Sequence, residues 1–129
     1  MIDFPPDALR TSAPADHSRY VQRIRRRYAS DIEAAILPPD RVPRTAEIAA
    51  AIDSLQDKGR ELGSALRVTR QLVMEKLATM DVEGGAAMSE ITSAMTELAE
   101  VTLDRALTAA EAEADARYGT PLNEQGQRV

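Results

Sequence analysis

Apolar residues recur along this chain at spacings of three and four, the period of a helix with one buried face. Tyr20, Val21, Ile24, Tyr28, Ile32 and Ile36 predict a first helix, capped by Asp16 or Ser18. It ends at Leu37, because Pro38 and Pro39 donate no backbone N–H and crowd the residue before them. Pro38 to Arg44 (PPDRVPR) reads as an extended connector. Thr45 is the expected N-cap of a second helix through Ile48, Ile52 and Leu55, with a kink near Gly59. A longer helix follows on Leu62, Leu66, Val73, Leu77 and Met80, its stripe widened by Ala65 and Leu72. Asp81 to Ala87 is the next turn, since each of Gly84 and Gly85 weakens a helix by about 1 kcal/mol.

Ser89 is the expected cap of the last helix, whose buried face is Ile91, Met95, Leu98 and Val101, with Leu103 and Leu107 behind. It runs to Tyr118, where Gly119 is placed as a left-handed C′ residue and Pro121 prevents a restart. After Leu107 this helix offers chiefly alanine, which forms helices well but buries little area, so the stretch is held by propensity or packs on a partner. No segment alternates as a strand does, and no internal repeat is visible. The fold class is all-α: a bundle of about four helices over residues 16–129, preceded by a flexible, proline-rich arm over residues 1–15.

Composition narrows the chemistry. With no Cys and no Trp, one Phe and three Tyr, the core must come from aliphatic residues, Met and Ala, and no disulfide or thiolate nucleophile exists. No signal peptide and no run of about 18 apolar residues is present, so a soluble, cytoplasmic protein without a membrane span is expected. A net charge of −5 disfavours nucleic acid as a partner.

Arg19, Arg23, Arg26 and Arg27 recur at helical spacing beside Arg25, a pattern that suits phosphate contact. The plainer reading is a solvated face pairing with acidic neighbours. In the last helix Glu97, Glu100 and Asp104 share one face and are candidates for a metal, but Glu97 and Asp104 lie about 10 Å apart along the axis. A solvated face is again plainer, and a third option sets it against the Arg-rich first helix. His17, the only histidine, sits beside Asp16 with no nucleophile in place, so it reads as a cap-region residue. Met74, Met80, Met88 and Met95 read as core gap-fillers. Gly84-Gly85 lacks the context of a phosphate-binding loop. No catalytic, cofactor-binding or metal-binding residue is assigned.

Three segments in order carry a family resemblance: Leu66–Met74 (L-R-x-x-R-x-x-V-M), Ser89–Glu100 (S-E-I-T-x-A-M-T-x-L-A-E) and Tyr118–Gly126 (Y-G-T-P-x-N-E-Q-G). Together they resemble the glutamine-synthetase adenylyltransferase family, in detail over roughly residues 62–126 and loosely before. The resemblance is to helices just before the first of that family's two nucleotidyltransferase domains. It implies a parent that transfers AMP from ATP to a tyrosine of glutamine synthetase and removes it by phosphorolysis. Mg2+ and ATP are implied cofactors of that parent, and glutamine synthetase and a PII-type signalling protein its partners. The family's G-K-L-G-G segment and Asp-x-Asp pair do not occur here, so the chain is expected to be inactive alone. The expectation is an N-terminal helical portion, begun by a genuine initial Met and cut short before its catalytic core. A stand-alone interaction module, open to self-association, is the alternative.

Overall fold

The computed structural model describes residues 18–129, so the arm over residues 1–15, Asp16 and His17 lie outside the described residues. Five helices follow one another: α1 (Arg19–Arg27), α2 (Ala29–Ala35), α3 (Thr45–Asp57), α4 (Leu62–Val82) and α5 (Met88–Tyr118). The fold is all-α. α4 is the central helix, touched by each of the others, while α1 and α5 are not neighbours. The core runs along it: Ile48, Ile52 and Leu55 of α3 meet Leu72, Val73 and Leu77 of α4, all of them buried. Ile24 of α1 and Ile91, Leu98 and Val101 of α5 close the cluster.

The first helix of the sequence reading is two helices. Tyr28 departs from helical geometry (φ −114°, ψ 30°), although the bonds Tyr28 N–H to Ile24 O and Ile32 N–H to Tyr28 O still bridge the break. No Gly or Pro marks it. The division lets α1 lie along α4 while α2 turns onto α3. Ser18 caps α1, accepting from the Val21 N–H. α2 ends on Ile36, a β-branched residue held in the left-handed region (φ 52°, ψ 52°) with its side chain 77% exposed. The connector then buries Val42 and Pro43.

Two expected caps are corrected. Thr45 is the first residue of α3, not its cap; Glu47 reaches back to the Arg44 N–H, leaving the Thr45 hydroxyl free to bond Glu97. Ser89 lies inside α5, whose N-cap is Ala87 with no side-chain bond. The α3–α4 break falls where expected, at Gly59 (φ 104°), with the Arg60 N–H bonding Leu55 O. Gly84 (φ 69°) similarly ends α4, and the Gly85 N–H bonds Met80 O at 2.7 Å.

α5 departs furthest from the reading. Ala94, not Met95, fills its buried face, while Leu103 and Leu107 are 69% and 60% exposed. Met88 and Met95 are exposed as well, so only Met80 and Met74 serve as core gap-fillers. Gly119 has positive φ (83°), but its ψ of 158° is extended rather than left-handed helical, a region open essentially to glycine alone. Beyond it, residues 120–129 form a tight reversal. Leu122 bridges Arg128, and Asn123 Oδ1 accepts from the N–H groups of Gln125 and Gln127.

Candidate interaction surfaces

Among the described residues no cluster of three or more His, Asp or Glu side chains is placed to hold a metal ion. Glu97 is turned inward to Arg44 (2.7 Å) and Thr45, whereas Glu100 and Asp104 are exposed. The described residues therefore offer no carboxylate cluster to a Mg2+ ion. Nor does the acidic face of α5 meet the Arg-rich α1; Arg44 of the connector takes that place.

What the structure does gather is a set of ionic ties between helices. Arg60 grips Asp31 through two 2.8 Å bonds and also bonds Ser64, fixing α2 to the α3–α4 turn. Arg25 reaches from α1 to Glu75 (2.8 Å) and Thr79 of α4. Glu75 itself is buried, at the margin of a groove of about 500 Å³ lined also by Ile32, Leu37 and Lys76. Arg105 joins α5 to Asp53 of α3, and its hydrogen bond holds the Asp53 carboxyl below the ordinary carboxylate range. Arg41 does the same to Glu47. Sequence reasoning passed over Glu75. The signal was there: Val68, Leu72, Glu75 and Thr79 recur at helical spacing, which sets a carboxylate in phase with the apolar stripe.

Exposed apolar residues concentrate on α5. At about 100° per residue, Ile91, Ala94, Leu98 and Val101 face the bundle. Met88, Met95, Ala99, Leu103, Ala106 and Leu107 fall on an adjoining arc that turns away from the bundle, all exposed. Glu100, Asp104 and Glu111 form an acidic border between the two. No residue after Val101 in α5 is buried. The helix, about 46 Å long, thus projects past the bundle. At its end the 120–129 reversal is tied back by Arg128, which pairs with Asp115 and approaches Glu111.

Comparison with known proteins bears on these surfaces. The chain matches the family model for glutamate-ammonia ligase adenylyltransferase over residues 17–129. It is similar to the bifunctional glutamine synthetase adenylyltransferase/adenylyl-removing enzyme of Ralstonia nicotianae (strain ATCC BAA-1114 / GMI1000), 32% identical over 121 residues, 88% of this chain and 12% of the relative. The enzyme of the same name from Burkholderia mallei (strain ATCC 23344) is 36% identical over 90 residues, 65% of this chain and 10% of the relative. That of Thioalkalivibrio sulfidiphilus (strain HL-EbGR7) is 30% identical over 92 residues, 70% of this chain and 10% of the relative. The chain spans about a tenth of the length of the curated relatives it matches. No solved structure matches.

Proposed function

The chain belongs to the glutamate-ammonia ligase adenylyltransferase family, and from that premise we propose that it is the helical N-terminal portion of an enzyme that adenylylates glutamine synthetase and removes the adenylyl group. In this reading residues 18–118 do no chemistry. They form a rigid bundle, and the outward face of α5 is where the nucleotide-transferring part of such an enzyme packs. One observation carries the reading: the family match continues through residue 129, over a helix whose second half buries nothing of its own. An exposed Leu103–Leu107 pair beside alanines suits close packing against another apolar surface.

ATP and Mg2+ are expected in the remainder of such an enzyme; among the described residues no cluster of three or more His, Asp or Glu side chains stands ready for the metal. Glutamine synthetase is the expected substrate and a PII-type protein the expected regulator. A reaction that draws on ATP suits a cytoplasmic enzyme; among the described residues no helix is long and apolar enough to cross a membrane.

The same exposed stripe supports a second reading, self-association of a stand-alone helical module through α5. One experiment separates the two. The Ralstonia nicotianae relative is expressed without the region that aligns with this chain and tested for co-elution with it. Co-elution that is lost in a Leu103→Glu/Leu107→Glu variant supports the first reading. Failure of the wild-type chain to co-elute, together with concentration-dependent dimers in light scattering, transfers the face to the second.

A further inference from the structure

The other unabsorbed feature is cationic. Arg19, Arg23, Arg26 and Arg27 line a shallow depression on the outer side of α1, and all four are exposed. Arg27 also shares a second depression with Arg67 of α4. Arg23 and Arg70 both act on the Tyr20 hydroxyl, whose proton burial holds more tightly than usual and which the two guanidinium groups partly loosen. Six arginines thus lie on one side of the α1–α4 seam. Among the described residues none of the six has a carboxylate within ion-pairing distance.

A solvated face does not account for this arrangement. The chain has fourteen Arg and two Lys, although either serves for solubility; the guanidinium fork is the one that pairs side-on with a carboxylate. Arg19, Arg23 and Arg27 stand at i, i+4 and i+8, so like charges repel along the helix instead of alternating in sign. Arg26 and Arg27 are favoured by the C-terminal end of the α1 dipole, but Arg19 occupies its first turn, where a cation is disfavoured. A docked anionic surface relieves both strains.

We propose that the α1–α4 arginine face is an electrostatic docking surface for a carboxylate-rich patch on a protein. Nucleic acid fits it less well. Tyr20 and Tyr28 are half-buried and already lie beneath Arg23 (5.8 Å) and Arg27 (5.3 Å), which leaves no aromatic face to stack a base. The row along α1 is only about 13 Å long, so it spans few phosphates of a nucleic-acid strand. This inference does not depend on the reading given under Proposed function, since it uses residues of α1 and α4 and none of the outward arc of α5.

The test is fluorescence anisotropy with a labelled glutamate homopolymer as probe, read at low salt and at about 0.15 M. Binding is expected at low salt, weakening steeply as salt rises. Arg19→Gln/Arg23→Gln/Arg26→Gln/Arg27→Gln is expected to weaken it by about tenfold or more. Arg117→Gln, on α5, leaves it unchanged. Should the quadruple variant fail to fold, Arg67→Gln/Arg70→Gln provides the same reading from α4, with a smaller loss. Absence of binding at low salt, or equal binding by the wild-type chain and the folded variants, overturns the proposal. Tighter binding of an oligothymidylate of matched length overturns the assignment to a protein partner.

Discussion

Leu98 and Leu107 lie nine residues apart on the same helix, and the same substitution at each should have very different consequences. Leu98 is 5% exposed in the core, against α3 and α4, whereas Leu107 is 60% exposed on the projecting half. Leu98→Ala removes three carbons, about 2.4 kcal/mol of transfer free energy at 0.8 kcal/mol per methylene. A cavity adds to that, but Leu98 sits near the core's edge, so its neighbours settle part of the way. The expected loss is about 3 kcal/mol. For a chain of this size that lowers the thermal midpoint by about 12 °C. Leu107→Ala loses almost no buried area and gains slightly in helix propensity, so its stability changes by less than about 0.5 kcal/mol. Circular dichroism at 222 nm during thermal and urea unfolding measures both, and an unchanged urea slope shows that the two variants unfold the same surface. Equal shifts in the two variants, or a loss below about 1 kcal/mol at Leu98, would refute the claim that the bundle ends near Val101.

Three further outcomes follow from particular contacts. Thr69 is fully buried with no partner for its hydroxyl, so Thr69→Val should raise stability by about 1 kcal/mol in urea titration; a loss would reveal a bond to that oxygen. Ile36→Gly relieves the left-handed backbone at the end of α2 and should stabilise by about 1 kcal/mol, whereas a fall in the thermal midpoint would mean that Ile36 makes a contact worth more than the strain. Asp53 and Glu47 have depressed folded pKa values, so as the pH falls the unfolded chain takes up protons first. Stability should be level from neutral pH to about pH 5 and fall below it, with Asp53→Asn showing a shallower acid fall. Asp53 is exposed and Glu47 partly so, which keeps the effect small, and an identical acid limb in Asp53→Asn would remove this contribution.

The helical period was enough to place α3 and α4 almost to their ends, because Ile48, Ile52, Leu55, Leu72 and Leu77 combine regular spacing with full burial. It could not reveal the division at Tyr28. No breaker residue stands there, and the bend follows from two different packing partners. The period also could not choose between the two apolar arcs of α5. Met95, Leu103 and Leu107 obey helical spacing as well as Ala94 and Leu98 do, and only tertiary packing decides which arc is covered. Thr45 looked like a cap because its residue type suits one, yet Glu47 reached the Arg44 N–H and left Thr45 to bond Glu97. The family was legible in Leu66–Met74, Ser89–Glu100 and Tyr118–Gly126. The last of these proves to be a folded reversal, with Asn123 and Gly126 (φ 79°) at its turn. The ionic ties were not legible, since Arg25–Glu75 and Arg60–Asp31 join residues distant in sequence.

The role proposed for this bundle is to support adenylyl transfer without performing it. The direct measurement is transfer of label from α-labelled ATP to glutamine synthetase. It compares this chain alone, the Ralstonia nicotianae relative lacking the aligned region, and the two together. The account predicts no transfer by the chain, weak transfer by the shortened relative, and an increase of about tenfold or more when they are combined. Transfer by the chain alone, or no gain on combination, would contradict it.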